Sequence, residues 1–228
     1  MALILSLETS ATTCSVALHD DGKTVKTLEI LEGQAHAARL AVLINEIFKE
    51  TQNSIAELKA VAVSAGPGSY TGLRIGTSTA KGICFSLNIP LIAINTLGSL
   101  AFQALQRQTL KKGLLCPMID ARRMEVYCQV MDLQLSALSP VRAEIIDETS
   151  FSELLKDNEM FFFGDGAEKC KTVINNKNAF FIEGIIPAAS ALGALAFSKF
   201  EQKQFEDLVT FTPFYLKEFV AKKAQSIF

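Results

Sequence analysis

Ser64-Ala65-Gly66-Pro67-Gly68-Ser69-Tyr70-Thr71-Gly72-Leu73-Arg74-Ile75-Gly76 is the stretch around which the chain is organised. Before it, Leu58 to Val63 is apolar and short, as a buried strand would be. After it, small or apolar residues recur at 73, 76, 77, 80, 83, 84 and 87, which is helical spacing. The unit therefore reads as strand, glycine loop and helix. Gly66 and Gly68 admit backbone angles that a side chain forbids, and Pro67 fixes one turn angle between them. The free N–H groups at the start of a helix can hold an anion. Two readings compete here: a cradle for phosphate, or a rigid turn that sets a helix against a sheet. No Gly-Lys-Ser/Thr follows, and the loop is not a Gly-x-Gly-x-x-Gly after the first strand. The expectation is a structural loop at Gly66, Pro67 and Gly68.

Working outward, Leu3 to Leu7, Cys14 to Leu18 and Thr24 to Leu31 read as three strands of an antiparallel meander. His19 to Lys23 is the hairpin turn between the last two, marked by Asp21-Gly22. Ala35 to Glu50 reads as a helix with one apolar stripe: Leu40, Leu43, Ile44 and Ile47. Leu91 to Ile94 is a further strand, and the helix after it ends near Gln108. Lys111-Lys112-Gly113 is the expected lobe boundary, dividing 1–108 from 109–228. The pattern then partly repeats. Strands are expected at 114–119, 124–131, 142–146, 160–163 and 180–182, and helices at 151–156 and 188–200. The order strand-strand-strand-helix-strand-helix occurs twice. Thr210 to Phe228 reads as an extended arm with a frayed end.

The 228 residues allow one large domain or two small lobes, and 49% hydrophobic residues supply a core. A formal net charge of -2 gives no global attraction to nucleic acid or to an anionic membrane. No run reaches the length of a membrane-spanning helix, and the first residues read as a strand rather than a signal peptide. Cys14, Cys84, Cys116, Cys128 and Cys170 are widely spaced in apolar runs, which points to reduced, buried thiols and a cytoplasmic protein.

Four stretches together resemble the bacterial TsaB (YeaZ) family. They are Glu8-Thr9-Ser10, the glycine loop through Gly76, Ile119 to Tyr127, and Pro213-Phe214-Tyr215-Leu216-Lys217. The resemblance runs nearly end to end. It departs at Lys217, where the family commonly has Arg, and at Glu8, where it often has Asp. It implies an α/β, actin-like or sugar-kinase-like (ASKHA) fold with two duplicated βββαβα-type lobes. It also implies a role in threonylcarbamoylation of the adenosine next to the anticodon, in tRNAs that read codons starting with A. In that family the chain is a partner subunit. The transfer chemistry belongs to a TsaD-type subunit with a metal-binding His-x-x-x-His. The implied partners are the TsaD-type subunit, a TsaE-type ATPase and, in isolation, a second copy. ATP is used by the complex, and tRNA is held mainly through it.

The residues can be set against that division of labour. One turn after His36 stands Leu40, which cannot ligate, so no such metal pair can form and no catalytic or metal site is expected. The implied fold also places a candidate weak nucleotide site between the lobes, at Glu8, Thr9, Ser10 and Asp120. The turn after Asp120 lacks glycines to admit a phosphate and carries Arg122 and Arg123, so Asp120 is expected to pair with an arginine instead. The alternative function is a stand-alone actin-like-fold ATPase or kinase; the absent histidine pair argues against a metallopeptidase. The lysines and arginines form no basic stripe, and Trp is absent, which disfavours direct tRNA binding. The expected partner-docking face comprises Leu40, Leu43, Ile44 and Ile47 together with Gly72, Leu73, Gly76 and Ala80, where small residues four apart make a groove for another helix.

Overall fold

The run Leu3-Ile4-Leu5-Ser6-Leu7 sends alternate side chains to opposite faces, and both faces are covered. A computed structural model describes residues 1–30 and 36–217. Residues 218–228 of the expected arm 210–228, the expected last residue of the third strand, Leu31, and the expected first helical residue, Ala35, lie outside them, as do the side chains of 36–38, His36 included.

β1 (Leu3–Glu8), β2 (Cys14–Asp20), β3 (Lys23–Ile30), β4 (Ala60–Ser64) and β5 (Leu91–Ile94) form one sheet in the order β3-β2-β1-β4-β5. The first three strands are the antiparallel meander, and β4 and β5 add in parallel through α1 (His36–Thr51) and α2 (Tyr70–Leu87). The β2–β3 turn is Asp21-Gly22, with φ of 46° and 77°, the left-handed pair that a two-residue hairpin favours. His19 is not in that turn as expected; it belongs to β2 and is fully buried.

α3 (Thr96–Arg107) leads to a second sheet made of β6 (Leu114–Asp120), β7 (Glu125–Cys128), β8 (Arg142–Ile145), β9 (Met160–Phe163) and β10 (Ala179–Phe181). Its order, β10-β9-β6-β7-β8, is that of the first sheet read from the opposite edge, so the duplication is structural. α4 (Ser152–Asp157) and α5 (Gly193–Glu201) complete the repeat. Where α2 stands in the first lobe, the second has only a 3₁₀ turn, Glu168–Cys170. β7 ends earlier than expected, because the Ser139 hydroxyl takes the Val130 N–H at 2.9 Å and the Val130 carbonyl accepts from Leu138 at 2.8 Å. The last helix begins as a 3₁₀ turn, Ala189–Leu192, whose Ala189 N–H donates to the Ser15 hydroxyl at 2.9 Å.

The helices that follow the fifth strand of each repeat fill the space between the sheets. α3, although it precedes the second sheet, buries Leu97, Leu100, Ala101 and Ala104 against Leu115, Ile119 and Phe163. α5 comes last in the chain and returns to the first sheet, burying Ala196 against Ile4, Ala62 and Ile92. α1 and α2 cover the outer face of the first sheet. All five cysteines are buried and free. Among the described residues no helix is long and apolar enough to cross a membrane.

Candidate functional site

The carboxyl ends of β1 and β4 bring Glu8-Thr9-Ser10 and the glycine loop together. The Ala65 N–H donates to the Ile94 carbonyl at 2.8 Å, Gly66 to the Thr96 hydroxyl at 3.2 Å, Ser69 to the Ser10 carbonyl at 2.6 Å and Gly72 to the Ser69 hydroxyl at 3.3 Å. Gly66 has φ +105° and precedes a cis peptide bond to Pro67. A Cβ on Gly68 would stand 2.4 Å from the Ser10 carbonyl oxygen. The Ala65, Gly66, Ser69 and Gly72 amides are thus turned into the chain, as in a rigid turn.

Glu8 is fully buried. Its carboxylate accepts the Ser10 N–H at 2.7 Å and the Ser64 hydroxyl, so it clamps β1, the following turn and β4 together. Burial pushes its pKa above the ordinary carboxylate value, with the hydrogen bonds from Ser10 and Ser64 opposing. The Thr9 hydroxyl donates to the Gly72 carbonyl at 2.7 Å and ties the turn to α2.

Across the lobes, Asp120 accepts the Arg122 N–H at 2.9 Å and pairs with Lys169, not with the expected arginine side chain. Arg122 and Arg123 both adopt left-handed backbone, φ 70° and 51°. The Asp165 carboxylate accepts the Asp120 N–H at 3.3 Å. Burial, with the negative charges of Asp120 and Glu8, raises the Asp165 pKa to about 6, while the Asp120 N–H opposes. Asp165 can therefore exchange a proton near neutral pH. Among the described residues no group of three His, Cys, Asp or Glu side chains is placed to hold a metal ion.

The sequence singled out Glu8, Thr9, Ser10 and Asp120, and the structure orders all four around internal hydrogen bonds. It missed Asp165 and Lys169. A signal for the first existed: Gly164-Asp165-Gly166 follows β9 where Gly66-Pro67-Gly68 follows β4. Pro213 to Lys217 also comes here. The Phe214 N–H donates to the Ala65 carbonyl at 2.7 Å, the Tyr215 ring packs 4.7 Å from that of Tyr70, and Lys217 pairs with Glu125. Beside them a cleft of about 330 Å³ is lined by Tyr70, Thr71, Arg74 and Ile75.

The expected docking face is corrected by the packing. Leu40, Leu43, Ile44, Ile47 and Ala80 belong to the core between α1, α2 and the first sheet, and Leu73 is fully buried. Cβ atoms on Gly72 and Gly76 would meet the Thr9 carbonyl oxygen at 1.9 Å and the Thr9 hydroxyl at 2.4 Å. Those glycines serve close approach of α2 to the chain's own β1–β2 turn. The outward face of α2 carries Ser78, Gly82 and Phe85 instead. A Cβ on Gly82 would meet nothing within 4 Å, and Phe85 is 82% exposed.

Comparison with known proteins accounts for this arrangement. The family model for TsaD, tRNA N6-adenosine threonylcarbamoyltransferase, matches residues 31–227. The tRNA threonylcarbamoyladenosine biosynthesis protein TsaB of Haemophilus influenzae is 28% identical over 88% of this chain and 76% of its own length. The chain belongs to the TsaD family, within its TsaB (YeaZ) branch. TsaB of Escherichia coli is 34% identical over 54% of this chain, a match that spans about half (52%) of that relative. YeaZ from Pseudomonas aeruginosa superposes with a TM-score of 0.81 at 26% identity, over 95% of this chain and all (100%) of that one. An activator of 2-hydroxyisocaproyl-CoA dehydratase from Clostridium difficile, at TM-score 0.52 and 11% identity, shares the fold alone. The duplicated sheets of this TsaB-branch chain are those of the actin-like, sugar-kinase-like class.

Proposed function

We propose that the chain acts in tRNA threonylcarbamoyladenosine biosynthesis as a non-catalytic subunit that docks a TsaD-type catalytic partner. The observation that carries this reading is its likeness to TsaB proteins along most of its length. The site is consistent with it. The Ala65, Gly66, Ser69 and Gly72 amides donate to acceptors within the chain, and Glu8 holds the turn together rather than facing a substrate.

The docking face in this reading is the outer surface of α1 and α2, centred on Phe85 and including Val42, Ser78 and Gly82. An aromatic ring that is 82% exposed beside small residues is the kind of patch a partner covers. The same patch would pair two copies, so a homodimer competes with the heterodimer. The test is a reconstituted modification reaction with and without this chain, combined with a binding assay on the purified TsaD-type partner. Phe85→Glu is expected to stay folded, lose the partner and lose modification together. Gly76→Glu, which drives a charge into Thr9, is expected to unfold the chain. Normal partner binding by folded Phe85→Glu refutes this face. ATP hydrolysis by the isolated chain that disappears in Asp120→Ala would favour the alternative, a stand-alone ATPase or kinase.

A further inference from the structure

After α5, residues 206–217 stay against the molecule. The Glu206 N–H donates to the Leu91 carbonyl at 2.9 Å, along β5. The Asp207 carboxylate accepts from the N–H groups of Val209 and Thr210 at 3.0 and 2.7 Å and from the Thr210 hydroxyl at 2.8 Å, which fixes a turn. Leu208 and Phe211 then pack against the core beneath α1 and α2. Lys81 of α2 lies 5.9 Å from the Phe211 ring centre. Phe214 hydrogen-bonds to Ala65, and a Cβ on Gly66 would stand 2.5 Å from the Phe214 carbonyl oxygen. Tyr215 packs on Tyr70 in the first turn of α2. Apart from the turn at Asp207, which is internal to the segment, these contacts are with the first lobe. The next is not: Lys217 pairs with Glu125, at the start of β7 in the second sheet.

We propose that residues 206–217 form a latch that adds to the packing of α3 and α5 in setting the angle between the two lobes, with Lys217–Glu125 as its releasable catch. The stem is held by backbone hydrogen bonds and apolar burial, which salt does not screen. The catch is an ion pair whose side chains are 45% and 20% exposed, and such a pair is weak and salt-sensitive. Strong stem and weak catch together allow the second lobe to be let go while the arm stays seated on the first. The glycine loop is the seat of the stem, which gives Gly66 a second reason to lack a side chain: Phe214 lies against it. The proposal concerns the chain by itself and does not depend on the docking reading.

The test uses the full chain with spin labels at Val25→Cys on β3 and Ile145→Cys on β8. Both positions are exposed, and the native cysteines are buried. Pulsed dipolar spectroscopy reads the distance between the lobes, and hydrogen exchange reads the arm. The parent should give one narrow distance distribution. Lys217→Glu and Glu125→Lys should each broaden or shift it and raise exchange at 214–217 by about two- to five-fold. The doubly reversed variant should restore both readouts, and 1 M salt should mimic the single variants. Glu125→Gln, which adds no new charge, should act like Glu125→Lys but less strongly. Single variants that leave the distances and exchange unchanged overturn the proposal. So does a double variant no better than the singles.

Discussion

Gly72→Ala and Gly82→Ala put the same methyl group on the same helix and should move stability in opposite directions. At Gly72 the new Cβ stands 1.9 Å from the Thr9 carbonyl oxygen, where ordinary contact begins near 3.4 Å. The two backbones must part by roughly 1.5 Å. They cannot do so freely, because the turn is held by Ser69 on the Ser10 carbonyl at 2.6 Å, Thr9 on the Gly72 carbonyl at 2.7 Å and Ser10 on Glu8 at 2.7 Å. Overpacking costs about 1–3 kcal/mol, and a broken buried hydrogen bond about as much again. Replacing glycine by alanine inside a helix returns about 1 kcal/mol. The net loss is about 1–5 kcal/mol, or roughly 2–20 °C in Tm for a chain of this size. At Gly82 nothing lies within 4 Å of the new Cβ, so only the helix term acts. That variant should gain about 1 kcal/mol and a few degrees. Differential scanning calorimetry and urea unfolding of both variants decide the matter. A Gly72→Ala protein as stable as the parent would refute the close approach of α2 to the β1–β2 turn.

Three further substitutions probe the buried ionisable groups. Burial holds the His19 pKa at about 4, below its ordinary 6.5, so its contribution to stability is present above pH 6.5 and is lost as the pH falls toward 4. Asp165 has the opposite sign: its pKa is raised from 3.8 to about 6, so its contribution is present below 3.8 and is lost as the pH rises through 6. Between pH 4 and 6 the two oppose each other. Asp165→Asn should therefore climb more steeply in stability across that range than the parent, by up to about 2 kcal/mol after screening at this half-buried position, measured by urea unfolding at each pH. An unchanged slope would mean that Asp165 is an ordinary surface acid. Glu8→Ala strands the Ser10 N–H and the Ser64 hydroxyl, and should cost on the order of 3 kcal/mol at pH 7. Glu8→Gln keeps an acceptor in place and should cost less; equal stability of Glu8→Ala and the parent would show that the clamp is idle.

The order of elements along the chain and their repetition were legible in the residues alone. They depend on local rules: apolar alternation, helical spacing and Asp-Gly in a hairpin. The stripe of Leu40, Leu43, Ile44 and Ile47 was likewise readable as one face. Which of two faces meets a partner was not. Gly72, Gly76 and Ala80 look like a docking groove in sequence, because small residues four apart permit close approach whatever approaches. Only packing decided that the approaching element is the Thr9–Ser10 turn of the same chain. Where the arm would seat was not readable for a similar reason. Its hydrogen bonds run to Leu91 and Ala65, more than a hundred residues earlier, and no local pattern encodes a contact at that separation. Asp165 was passed over although its flanking glycines repeat those of the first loop, and Lys169 because charge partners across a sheet end have no spacing rule. The placing of α3 on the second sheet and α5 on the first has the same origin: each helix is amphipathic in its own sequence, but the sheet that covers it is chosen by the tertiary fold.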